Sequence, residues 1–284
     1  TSTITWTWDA VTGATTYYVY NTSSVLIDTV SSATSQQTGL TVSTTYSVFV
    51  RAANANGSGV SSSIATAVTG PSAPTGLAAN SRTTTTITWG WTNGGQYQFY
   101  AQDKNNNPNN SGWVTDIFWL QSSLATNTAY TLQVKSRDAG SIESGNTEIT
   151  RYTAQSVPTS TTFSTTTTSS ITMVINGGFI NLGVGSSLIH IENGAGGTQD
   201  LTNTTTWANS GLNPGTQYNF SASATNGDGI YTASTTGSKY TLAATPVAPT
   251  ILTLSSTTLS VAITSAGDSN SAIVEYAIQE TGSG

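Results

Sequence analysis

The sequence predicts an all-β protein built as a tandem series of β-sandwiches. Three observations lead there: short runs in which apolar and polar residues alternate, a scarcity of helix-forming stretches, and an internal repeat that covers the chain.

Alternation comes first because a strand shows successive side chains to opposite faces, so a half-buried strand reads apolar, polar, apolar. Thr, Ser, Val, Ile, Tyr and Trp dominate these runs, and Gly, Asn, Ser and Pro clusters interrupt them about every ten residues, the punctuation of sandwich hairpins. Few strong helix formers occur together.

The repeat fixes the register. Leu40 to Tyr46, Leu124 to Tyr130 and Leu212 to Tyr218 each read Leu, five residues, Tyr, and the tyrosines are 130 − 46 = 84 and 218 − 130 = 88 apart. Two, four and six positions beyond each tyrosine stand Val48, Val50 and Ala52, then Leu132, Val134 and Ser136, then Phe220, Ala222 and Ala224, which predicts one buried face per repeat. Asn54, Asp138 and Asn226 follow, each leading into a Gly-containing turn. Upstream, Ile4-Thr5-Trp6-Thr7-Trp8 matches Ile87-Thr88-Trp89-Gly90-Trp91, Ile171-Thr172-Met173-Val174-Ile175 and Leu259-Ser260-Val261-Ala262-Ile263.

The Ile-x-Trp-x-Trp strand, the Leu-to-Tyr spacing and the Val-x-Val-x-Ala-x-x-Asn run of Tyr46 to Asn54 resemble the fibronectin type III family. That resemblance implies an immunoglobulin-like two-sheet sandwich for each repeat. It also makes Tyr46, Tyr130 and Tyr218 structural corners, whose hydroxyls bond to nearby backbone.

Proline cannot donate to a sheet and gathers at strand edges and linkers. Pro71 and Pro74, Pro158, and Pro246 and Pro249 therefore mark the starts of new modules. The expected domains are residues 1–70, a repeat lacking its first strand; 71–154; 155–245; and 246–284, a partial repeat without the Leu-to-Tyr corner. Short linkers suggest modules joined semi-rigidly into a rod. The mismatch at both ends reads as truncation of a longer array, or as strand exchange with Ile251 to Leu254 as donor.

Composition narrows the function. Only 7% of residues are charged and seven are Lys or Arg, which leaves no basic patch for nucleic acid. There is no cysteine, so no disulfide framework, thiolate nucleophile or zinc–thiolate cluster. No apolar run approaches the roughly 18 residues that span a bilayer. The neutral, hydroxyl-rich surface and the family resemblance point to the outside of a cell, and the opening at Thr1 to a mature product or a segment.

Catalytic chemistry has little to work with. His190 is the single histidine, and with Ile189 and Ile191 facing inward it faces solvent. Glu143 and Glu148, the nearest thing to a glycosidase pair, fall past the corner strand where a solvated hairpin is expected. Asn226-Gly227-Asp228-Gly229 and Gly267-Asp268-Ser269-Asn270 carry oxygen ligands in tight loops but match no calcium-loop pattern. The glycine clusters lack the strand-to-helix setting of a phosphate loop. No enzyme activity, cofactor or metal is expected.

Binding has better candidates. Trp6, Trp8, Trp89, Trp91, Trp119 and Trp207 sit at core positions, and only Trp113, beside an Asn-rich insertion at Asn105 to Gly112, escapes that reading. Tyr18, Tyr20 and Phe49 turn outward by strand parity and form a candidate interface or glycan patch. Asn21, Asn56, Asn109, Asn203 and Asn219 begin N-glycosylation sequons. The favoured expectation is a structural segment of a surface layer, filament or stalk, with copies of itself or other surface proteins as partners. Its alternatives are an adhesive or carbohydrate-binding array, or the accessory region of a secreted polysaccharide-degrading enzyme.

Overall fold

The computed structural model describes residues 2–254 and 257–262, and every regular element in them is a β-strand. The chain divides into two compact units. The first holds the residues up to Ser81, with Ile87–Ser122 and Tyr130–Thr150; the second holds Arg82–Thr86, Ser123–Ala129 and the described residues from Arg151 onward.

The first group of strands is β1 (Ile4–Thr7), β2 (Thr16–Asn21), β3 (Leu26–Val30), β4 (Thr34–Gln37), β5 (Thr45–Asn54), β6 (Gly57–Ser61) and β7 (Ala65–Val68). β1 pairs with β4, while β3, β2, β5 and β6 form a second sheet in that order, with β7 also on β5. The second group is β8 (Thr75–Arg82), β9 (Ile87–Thr92), β10 (Gln98–Asp103), β11 (Asn106–Val114), β12 (Phe118–Gln121), β13 (Ala129–Arg137) and β14 (Thr147–Tyr152). Its sheets run β12-β9-β8 and β11-β10-β13-β14.

The third group repeats that plan. β15 (Ser160–Thr166), β16 (Ser170–Asn176) and β19 (Thr206–Ser210) make one sheet, and β18 (Thr198–Leu201), β17 (Ile189–Glu192), β20 (Gln217–Ala224) and β21 (Thr235–Tyr240) make the other. A further hairpin pairs β22 (Thr250–Leu254) with β23 (Leu259–Ala262). The all-β, tandem-sandwich expectation holds. Among the described residues, the edge position that β8 and β15 occupy has no counterpart beside β1.

The cores form where the predicted faces meet. In the third sandwich Ile171, Met173 and Ile175 of β16 meet Ile189 and Ile191 of β17 and Phe220, Ala222 and Ala224 of β20, all buried. Each Ile, Met or Phe side chain so buried contributes about 1.5–3 kcal/mol. In the first sandwich Ile4 and Trp6 pack on Val19 and Val48. Here the expectation needs correction: Val50, Ala52 and Trp8 are only half-buried, and among the described residues no strand pairs with β1 on the side away from β4.

Polar ties cross the cores. The fully buried Trp89 indole N–H donates to Gln121 Oε1 at 2.7 Å, and Gln121 Nε2 donates to Asp103 Oδ2 at 2.9 Å, linking β9, β12 and β10. Trp6 makes the same bond to Gln37 at 2.8 Å. In the third sandwich Met173 replaces the tryptophan and Asn209 the glutamine, and the buried Asn209 Nδ2 has no partner among the described residues.

The corner is built alike in each sandwich. Ser43, Asn127 and Gly215, three positions before the corner tyrosines, have positive φ of 51°, 44° and 57°. Their amides donate to the carbonyls of Gly70, Ala154 and Leu242. Thr69, Thr153 and Thr241 are buried, and each hydroxyl accepts from the amide of Thr44, Thr128 or Thr216 at 2.9 to 3.0 Å. The Thr41 amide donates to the Tyr46 hydroxyl, and the Asn213 amide to the Tyr218 hydroxyl, both at 2.9 Å. Tyr218 is buried, whereas Tyr46 and Tyr130 are half-buried.

Candidate functional site

Two features stand out: an aromatic face on the sheet containing β2 and β5, and a dense polar junction inside the second unit. Strand parity puts Tyr17 and Val19 in the core and turns Tyr18 and Tyr20 outward. Tyr20 lies opposite Phe49 in the β2–β5 ladder, and their rings stack at 5.3 Å with 15° between planes. Tyr18 lies opposite Arg51. The Arg51 guanidinium, which the sequence reading missed, sits 5.6 Å from the Tyr20 ring centroid and 5.9 Å from that of Phe49.

The second sandwich carries a similar cluster on its corresponding face. Tyr100 and Trp113 approach to 5.5 Å, Lys135 lies 5.5 Å from each ring, and Arg137 lies 4.3 Å above Trp113. Residues Asn105 to Gly112, read from sequence as an insertion, lie largely within β11, which pairs with β10 through two register shifts; that pairing places Trp113 opposite Tyr100. A cation over an aromatic face contributes about 0.5–1 kcal/mol at exposed sites and occupies the surface on which a flat ligand would stack. The clusters are therefore partly self-satisfied.

The third sandwich puts His190 on the same face, half-exposed between Asp200 Oδ1 at 2.6 Å and Glu192 Oε1 at 3.3 Å. The hydrogen bond to Asp200 raises its pKa above the ordinary 6.5, with partial burial opposing and Glu192 adding to the rise. Glu143 is paired with Lys135 at 2.5 Å. Glu148 accepts from Lys104 at 2.6 Å and Gln133 at 2.8 Å, which hold its pKa below the usual carboxylate value. Both carboxylates are thus engaged by cations.

Among the described residues no group of three or more His, Asp or Glu could hold a metal ion. Asn226 to Gly229 is a turn: Asn226 Oδ1 accepts from the amides of Asp228 and Ile230, and Asp228 is taken by Arg82 at 2.7 Å. Gly267 to Asn270 lies outside the described residues. Asn56, Asn203 and Asn219 are exposed and Asn109 half-buried. Asn21 is half-buried, its carboxamide oxygen accepting from Ser23 and Val25.

The junction centres on Asn127, fully buried in the corner loop Ser123–Ala129, which belongs to the same compact unit as the third sandwich. Its Nδ2 faces the carbonyls of Ile180 at 2.8 Å and Asn181 at 3.1 Å and the Ser187 hydroxyl at 2.8 Å. Its Oδ1 accepts from the Gly227 amide at 2.8 Å. Gln155 Nε2 donates to the Ile180 carbonyl at 2.8 Å, and Asn226 Nδ2 to the Thr153 carbonyl at 3.1 Å. Gly227 is required here, since a Cβ would run into the Tyr152 ring.

No family model matches the chain. It is 32% identical to Chitinase A1 of Niallia circulans over 166 residues, which takes in 53% of this chain and 24% of that protein. It is 28% identical to Exoglucanase B of Cellulomonas fimi over 256 residues, 82% of this chain and 23% of that protein. The chain spans about a quarter of the length of these relatives. Among solved structures it is similar to a two-domain fibronectin type III segment of chicken tenascin, with 20% identity and a TM-score of 0.40 over 60% of this chain and 99% of that one. It is also similar to the FN1–FN3 domains of chicken CNTN1, with 15% identity and a TM-score of 0.30 over 85% of this chain and 94% of that one.

Proposed function

We propose that this tandem series of fibronectin type III-like sandwiches is a non-catalytic structural segment of an extracellular protein, a stalk, filament or surface layer in which residues 1–70, 71–154, 155–245 and 246–284 are successive modules. The Asn127 junction carries this reading. A linker meant only to tether leaves its polar groups to water. Here Asn127, Gln155 and Asn226 are buried and bonded to one another's segments within the second compact unit, so that opening this network would expose or orphan several buried groups, at about 1–3 kcal/mol each. A unit stiffened in this way suits a part that transmits position or force.

Two relatives favour a second reading. They are named as a chitinase and an exoglucanase, and the chain matches about a quarter of each, which fits the accessory region of a secreted polysaccharide-degrading enzyme. Spin labels at Thr85→Cys and Asn203→Cys in the full chain test stiffness: one narrow distance distribution is expected, and a broad one would defeat the structural reading. Co-sedimentation with insoluble chitin or cellulose, at binding strong enough to deplete the supernatant, would favour the second.

A further inference from the structure

Corresponding faces of the three sandwiches carry opposite chemistry at the same positions. Five residues beyond the corner tyrosines stand Arg51, Lys135 and Ser223. The ladders set Tyr18 opposite Arg51, Tyr100 opposite Lys135 and His190 opposite Ser223. On the other side of Tyr18, Tyr100 and His190 lie Thr29, Trp113 and Asp200. Two residues along each strand the same register makes Tyr20, Gln102 and Glu192 equivalent. Where the second sandwich has two aromatic rings and a lysine, the third therefore has an imidazole, a carboxylate and a serine.

Charge is scarce in this chain, and these two faces hold opposite excesses of it. On the second sandwich Lys135 is held by Glu143 and Lys104 by Glu148, which leaves Arg137 as the cation without a carboxylate. Arg137 Nε and Nη2 donate to Gln98 Oε1 at 2.9 and 2.6 Å, and the guanidinium carbon lies 4.3 Å from the Trp113 ring centroid. Its Nη1 has no hydrogen-bond partner among the described residues. On the third sandwich the side chains of Asp200 and Glu192, 56% and 58% exposed, share one imidazole, so that face is net negative in either protonation state of His190. Lys239 lies opposite the buried Tyr218 and takes the other parity. Tyr231, 59% exposed, adds an open ring edge-on to His190.

We infer that the face of Tyr100, Trp113 and Arg137 docks on the face of His190, Glu192, Asp200 and Tyr231 of a second copy, with the Arg137 guanidinium against the two carboxylates. A guanidinium fits a carboxylate through paired N–H donors, and Trp, Tyr and Arg are the side chains that dominate protein interfaces. Lys135 and Arg137 already lie against the rings of Tyr100 and Trp113, so a stacked sugar would have to displace them, whereas a carboxylate meets the cation where it lies. Because the two faces differ, the contact is heterologous and each copy keeps one face of each kind open, which propagates into a filament unless a ring closes. Such a contact rests on the structural reading and names its partner.

Sedimentation velocity of the full chain should show association that rises with concentration and weakens as salt goes from about 0.02 M to about 0.5 M, through screening. Arg137→Glu and Asp200→Lys should each raise the dissociation constant about tenfold, since like charges then face one another. An equimolar mixture of these two variants should associate where neither does alone, and a chain carrying both changes should associate by itself. Arg137→Gln, which removes the charge without adding a repulsive one, covers the case that Arg137→Glu misfolds: it should weaken association and leave the melting temperature in place. A monomer at every concentration, association indifferent to loss of the Arg137 charge, or a mixture that stays monomeric would overturn the inference. So would binding of polygalacturonate to a monomeric chain that Arg137→Gln abolishes, which would assign the face to an acidic glycan. Narrow spin-label distances alongside such a failure would leave the stiff-segment reading intact.

Discussion

The amide of Gly227 donates to the carboxamide oxygen of Asn127 across 2.8 Å, joining residues 100 positions apart in the sequence. Asn127→Ala removes that acceptor together with the donor that faces two carbonyls and the Ser187 hydroxyl, and leaves alanine at positive φ. The expected loss is about 2 to 4 kcal/mol, from several buried groups left unpaired. Asn127→Gly relieves the backbone yet loses the same bonds, so it should recover only a small part. Calorimetry of the full chain, following the transition that shifts, distinguishes the two.

Trp91 holds the second sandwich rather than binding a ligand. Its side chain is 4% exposed and packs on Phe99, so Trp91→Ala should cost about 3 to 5 kcal/mol through the cavity it leaves. An unchanged melting temperature would contradict this role.

The corner hydroxyl makes a smaller contribution. Tyr218→Phe leaves the Asn213 amide without its 2.9 Å acceptor and should destabilise the third sandwich by about 0.5 to 1.5 kcal/mol. Tyr46→Phe, at a half-buried site where water can replace the hydroxyl, should cost less. Denaturant titration of both variants checks the order.

His190 titrates with a raised pKa in the folded chain, so its charged pairing with Asp200 and Glu192 stabilises fully below the unfolded value near 6.5. That contribution fades as pH rises through the higher folded value. Asp200→Asn should move the His190 titration, followed by the imidazole proton resonances, back toward the ordinary value. A titration that does not move would assign the rise to Glu192.

Exposed carboxylates behave in the opposite sense. Lys104 and Gln133 hold the Glu148 pKa down, so Lys104→Ala should raise its carboxyl titration toward 4.5. Carboxyl carbon shifts followed through acid pH measure the change.

Local pattern and repetition were enough to predict the all-β class, most of the strands and the buried parity of the second and third sandwiches, because a strand's alternation is written in neighbouring residues and a copied module repeats its spacing. The Thr44–Thr69, Thr128–Thr153 and Thr216–Thr241 pairs, each 25 apart, were written there too, although their meaning emerges only when the buried hydroxyl is seen beside the backbone it caps. Trp113 was legible as unusual but not as β11, since the strand's bulges break the alternation that announces one. Arg51 over Tyr20 and Phe49, and Asn127 against Gly227 and Ser187, were decided by tertiary structure alone. Those contacts depend on which loops and faces the fold brings within hydrogen-bond or ring-contact distance, and no local spacing encodes a meeting between residues a hundred positions apart.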